Sequence, residues 1–217
     1  MKRLSLCLLL FVFLFGCASL KPERNVVDNT FYSSYPKRLI KISPDYEYVG
    51  HLNHSSEGKA TNLTYDLRYE YESYIFLKHD NNRAKEAIVV QIEKISTYYV
   101  CDFFAGVKNK LESGVCELGG KKYHHYTKAI VPSMKSNTTR FVSDKGFIMP
   151  QCILSKTAGR VEGRKGNILF KVRYFVDVTG LDYTCRDWKD RDTLTNEQRS
   201  YLEKFERNWE ESFEMQQ

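Results

Sequence analysis

The side chains here with the plainest chemical uses are histidines and carboxylates. His51 and His54 could hold a metal with His124 and His125. A metal needs its ligands to converge. His51 ends a strand-like run and His54 falls in a polar stretch, while neighbours such as His124 and His125 point to opposite faces of a strand. Surface histidines are the simpler reading, and no metal is expected. Asp66, Glu70 and Glu72 could supply an acid–base pair, which needs carboxyl groups about 5–9.5 Å apart. Their i, i+4 and i+6 spacing reads more simply as the wet face of a strand. The sequence has no G-x-S-x-G elbow, phosphate-binding loop, G-x-G-x-x-G or H-E-x-x-H. No catalytic residue and no cofactor are assigned on this basis.

The first residues carry a clearer message. Lys2 and Arg3 precede an apolar run from Leu4 to Phe15, and small residues follow at Gly16-Cys17-Ala18-Ser19. That is the layout of a secretory signal, and the run falls short of the ~20 residues a membrane span needs. Leu14-Phe15-Gly16-Cys17 resembles the lipobox of bacterial lipoproteins. The resemblance implies cleavage before Cys17, acylation of Cys17 and anchorage in the envelope. Ala18, not being acidic, implies sorting to the outer membrane with the domain facing the periplasm. Around SSYPKRLIKI the chain is also similar to small bacterial lipoproteins of no assigned activity.

Removing residues 1–16 leaves 201 of 217 and takes the formal charge from +6 to +4. The basic excess is mild and spread out, and nucleic acid is not an expected partner. With Cys7 removed and Cys17 acylated, four of the six cysteines remain: Cys101, Cys116, Cys152 and Cys185. An even set in an exported chain reads as two disulfides, with three pairings open. Cys101–Cys116 and Cys152–Cys185 are expected because each joins neighbours along the chain. No C-x-x-C pair favours zinc.

Residues 17–34 are expected to be a tether, and 35–217 a single α+β domain. The segment LTYDLRYEYESYIFL alternates strictly, with Leu63, Tyr65, Leu67, Tyr69, Tyr71, Ile75 and Leu77 on one side. That is the pattern of a half-buried strand. A turn at 79–82 and a second strand over 86–104 complete a long antiparallel hairpin spanning about 63–104, with a bulge near Lys94. Further strands are expected over 38–42, 46–52, 122–131, 147–154 (an edge, because of Pro150) and 168–178. Residues 53–61, 105–122, 132–140 and 157–167 read as loops. Thr195-Asn196-Glu197-Gln198 is a capping-box pattern. Leu202, Phe205, Trp209 and Phe213 then recur at helical spacing. The expected fold class is α+β: an antiparallel sheet covered by this C-terminal helix.

Absent catalytic motifs, the sequence favours a non-enzymatic, lipid-anchored binding or assembly protein with an envelope protein partner. Tyr65, Tyr69 and Tyr71, or Phe205, Trp209 and Phe213, could form the partner or ligand surface, although core packing explains both sets. A carrier of a small apolar molecule or lipid is the alternative, with an envelope-polymer hydrolase behind it. Arg160, Arg164 and Lys165 could meet anionic headgroups, but a solvated hairpin tip suffices.

Overall fold

The structure is a computed structural model and describes residues 21–59, 66–95, 100–104 and 107–216. The lipobox with Cys17, and Tyr65, lie outside the described residues.

The chain is mostly antiparallel sheet. Strands β1 (Arg24–Val27), β2 (Thr30–Ser34), β3 (Lys37–Ile42) and β11 (Phe213–Gln216) form a small sheet in the order β1-β2-β3-β11. The larger sheet runs β4-β5-β6-β10-β9-β8-β7, from β4 (Glu47–Lys59), β5 (Asp66–Asp80), β6 (Arg83–Ile95), β7 (Glu112–Leu118), β8 (Lys121–Ile130), β9 (Ile153–Glu162) and β10 (Ile168–Asp177). Two helices join them, α1 (Asn137–Asp144) and α2 (Asn196–Ser212). Two-residue turns close three hairpins: Asp28-Asn29 (φ 47° and 54°), Asn81-Asn82 (48° and 63°) and Gly119-Gly120 (54° and 68°). Positive φ at both positions is the type I′ geometry that suits strand twist, and Asn, Asp and Gly reach it most easily.

One face of the larger sheet carries the main core. Tyr74, Phe76, Ile88, Val90, Phe170, Val172 and Tyr174 meet Phe31, Ile40 and Ile42 of the small sheet and Leu202, Phe205 and Trp209 of α2. Arg38, 3% exposed, crosses this layer. It donates to the Tyr123 hydroxyl at 2.9 Å, pairs with Glu162 and lies 5.1 Å over the Phe170 ring. The capping box at α2 forms as its sequence predicts, with Gln198 N donating to Thr195 Oγ1 and Thr195 N to Gln198 Oε1 (3.2 and 2.9 Å). Phe205, Trp209 and Phe213 are 1%, 3% and 8% exposed. That face is core, which removes it as a partner surface.

Among the described residues, the opposite face is covered at its two ends. α1 and residues 147–149 cover Ile75, Leu77, Val89 and Phe175. Cys101, Phe103, Phe104 and Val107 cover Tyr126 and Leu169.

Several expected boundaries shift. Residues 24–34 are strands β1 and β2, not tether, because Val26 and Phe31 reach the main core. β4 runs on to Lys59 by pairing with β5 through the polar residues 53–59. β6 stays in register with β5 to Ile95, and the irregularity lies at Lys78/His79 instead of Lys94. The expected edge strand at 147–154 is replaced by β9, which begins at Ile153 and lies between β10 and β8. Residues 112–118, read as loop, form β7, and 137–144 form α1.

Cys152 and Cys185 are bridged. Cys101 and Cys116 are free thiols, correcting the second expected bridge. The reason is the sheet between them: Cys101 packs with Phe103, Tyr126 and Leu169 on one face and Cys116 against the main core on the other. Burial, reinforced by Glu93 and opposed by Lys171, pushes the Cys101 thiol up to about 11. Only thiolate attacks an alkylating reagent. Against an ordinary value of 9.0, Cys101 should react with iodoacetamide at pH 8 about 100-fold more slowly in the folded protein than in urea. Equal rates, or a mapped Cys101–Cys116 crosslink, would contradict this placement.

Candidate functional site

Between the two covers lies the part of the sheet most able to bind something. Its floor can be read from the register, because cross-strand partners share a face. One row runs Ile75, Val89, Arg173, Thr157, Tyr126, and the next runs Leu77, Ala87, Phe175, Ser155, Lys128. A third passes Ser73, Gln91, Lys171, Gly159 and His124.

Two neighbouring chambers lie on this floor, with residues at the start of α1 lining both. The apolar chamber, about 290 Å³, is lined by Ile75, Leu77, Ala87, Val89, Val142, Met149, Ile153 and Phe175. Lys128 and Arg173 also line it. The polar chamber, about 300 Å³, is lined by Leu52, His54, Ser56, Tyr71, Ser73 and Gln91, with Lys135 and Asn137 above. Ser136, Thr138 and Arg173 border both chambers.

α1 forms here because Ser136 caps it, accepting from Thr139 N at 3.4 Å. Val142 and Thr139 then point inward, and the Phe141 ring comes within 3.2 Å of where a Cβ on Gly50 would stand. At the other end Phe103 fills the space over Gly159, where a Cβ would fall 2.3 Å from its ring.

The charges are unevenly matched. Lys171 pairs with Glu93 at 2.5 Å. Asp177 is held by Arg83 and Lys85 (3.3 and 3.6 Å). Arg173 makes no hydrogen bond or ion pair among the described residues, and its Cζ stands 5.0 Å from the Phe175 ring. Lys128 rests 5.6 Å over Tyr126, also without an ion pair. Burial lowers the pKa of both, and Arg173 lowers that of Lys128 further.

No protein-family model, curated protein or solved structure matches the chain.

The residues singled out from sequence fare differently. Tyr71 reaches the polar chamber, with Tyr69 stacked beside it at 6.1 Å and His54 at 6.4 Å. His51 stacks on Tyr74, His124 lies against Phe103 and Phe104, and His125 turns to the other face, where burial lowers its pKa. Among the described residues no three His, Cys, Asp or Glu converge as metal ligands. Glu70 and Glu72 each have a basic partner, Lys94 or Arg68 and Arg24 respectively. Arg160 bonds Glu162 and the Lys122 carbonyl. Arg173 and Lys128 were not legible as site residues, although 169, 171, 173 and 175 read apolar, basic, basic, apolar along one face.

Proposed function

We propose that the chain is an exported lipoprotein, held by acyl chains on Cys17 at the outer membrane of a bacterial envelope, and that its domain is a non-enzymatic binder of a small molecule with an apolar body. The observation that carries the binding role is the apolar chamber under α1. Its volume of about 290 Å³ is at the lower end of ligand pockets. Between the larger sheet and α2 the described residues are packed as core, so the carrier reading moves to the opposite face. Of the two surfaces considered for a protein partner, Phe205, Trp209 and Phe213 are buried, and Tyr71 of the other set borders the polar chamber.

A neutral alkyl diazirine probe tests this with the full chain in membranes. Photolysis should label peptides containing Val142 and Met149. Ala87→Phe, which fills the half-buried floor of the chamber, should reduce that labelling about 10-fold or more. Labelling confined to other parts of the chain, or unaffected by Ala87→Phe, would count against the chamber. Incorporation of labelled palmitate, abolished by Cys17→Ser, tests the anchor separately.

A further inference from the structure

The junction of the two chambers holds two cations, Arg173 and Lys128, that make no ion pair among the described residues. Lys171, on the next row of the floor, takes the Glu93 carboxylate, and Lys85 at the far side of the chamber takes Asp177. Arg173 and Lys128 lie two strands apart, separated by Ser155 and Thr157 of β9. Those two residues are 0% and 1% exposed, and their hydroxyls have no hydrogen-bond partner among the described residues. The nearby acids are committed elsewhere: Asp177 to Arg83 and Lys85, and Glu86 to the Tyr46 and Tyr174 hydroxyls at 2.7 Å. Both cations are half-buried and lie on one face of the sheet with β9 between them, and charge drawn partly out of water without a partner is costly.

The roof supplies matching donors. The first N–H groups of a helix have no intrahelical acceptor and carry partial positive charge. Ser136 and Thr138, at the start of α1, border both chambers exactly as Arg173 does. A guanidinium below, a helix N-terminus above and an ammonium alongside make a set of donors suited to a single anionic oxygen group. Apolar wall begins at once beyond it, at Phe175, Val89 and Val142.

We propose that this junction binds the anionic head, a carboxylate or a phosphate, of an amphiphile whose tail occupies the apolar chamber. The inference rests on the chamber being a binding site and adds the class of ligand. Arg173 is the principal head-group ligand and Lys128 the second.

Competition against the neutral diazirine probe tests it on the full chain in membranes of neutral lipid. Decanoate, decyl phosphate and decanol share one tail and differ in the head. Decanoate or decyl phosphate should displace the probe at concentrations about 10- to 100-fold below decanol, the worth of charge-assisted hydrogen bonds. The better of the two identifies the head as carboxylate or phosphate. Arg173→Gln should erase that preference and leave decanol unchanged, while Arg173→Lys keeps part of it. A thermal melt of each variant guards against misfolding. Equal potency of all three competitors on the wild-type chain, or an anion preference that survives Arg173→Gln in a folded protein, overturns the head-group site and leaves the chamber reading intact. Failure of every competitor and of the probe to engage the chamber overturns both.

Discussion

Trp209→Ala is expected to lower the unfolding free energy by about 3–5 kcal/mol, the cost of removing a large buried aromatic side chain. For a domain of this size that is a fall in Tm of roughly 10 °C. Trp209 is 3% exposed. Its ring meets Phe213 edge-on at 4.7 Å and lies 6.2 Å from Tyr174 of β10. Lys156, on the neighbouring strand β9, places its Nζ 5.5 Å from the same ring while pairing with Glu206 of α2. Truncation therefore opens a cavity and loosens an ion pair that is itself mostly shielded from water. Tyr32→Ala is the control: that side chain is 38% exposed, and its loss should stay within about 0.5 kcal/mol. Both are read from urea unfolding. A cost below about 1 kcal/mol at Trp209 would mean that α2 does not pack on the sheet, and would restore its apolar face as a docking surface.

The same helix shows why part of this fold is legible in the sequence. Its cap, Thr195 with Gln198, and its apolar stripe are local signals, and the structure keeps both. β5 is equally local, since alternating Tyr71, Ser73, Ile75 and Leu77 fall on one face. α1 is different. SNTTRFVSD has the capping serine but Thr139 where a capping box wants Glu or Gln, and Thr and Val favour strands over helices. Its helical state depends on Phe141 and Val142 finding the second face of the sheet, which no local pattern states.

The binding groove is illegible for a related reason. In ILFKVRYFVD, Lys171 and Arg173 look like the wet side of a half-buried strand. β10 is instead covered at both ends of that side, by Phe103, Phe104 and Val107 over Leu169 and by α1 over Phe175. Only the tertiary arrangement turns two ordinary strand cations into enclosed ones. The tether assigned to residues 24–34 fails similarly. Asp28-Asn29 is a strong turn signal, but the strands beside it are short and half polar, and their place is decided by Phe31 meeting Tyr74 at 4.7 Å. The cysteine pairing succeeds for Cys152–Cys185 and fails for Cys101 and Cys116, because proximity along the chain says nothing about which face of a sheet a thiol occupies.

Reduction of the Cys152–Cys185 bridge should be the other large perturbation. The bond closes a loop across a sequence separation of 33, for which chain entropy gives about 3.7 kcal/mol. It ties the entry to β9 to a short 3₁₀ turn, Cys185–Trp188, that carries the buried Trp188. This turn has its own capping box at Thr184, but four residues cannot hold a tryptophan in a core unaided. Reduced wild-type protein is the cleanest comparison, since Cys152→Ser would also bury a hydroxyl at a position that is 4% exposed. Dithiothreitol should lower Tm by roughly 7–15 °C, and Cys185→Ser should show the same fall without reductant. Cys101→Ala and Cys116→Ala should leave the dithiothreitol effect intact, because neither thiol takes part in a bridge. A chain that needs this bond for several kcal/mol of stability is suited to an oxidising compartment, so the size of the shift also bears on the exported reading. A shift under about 2 °C would remove the disulfide from that argument and leave Cys17 to carry it alone.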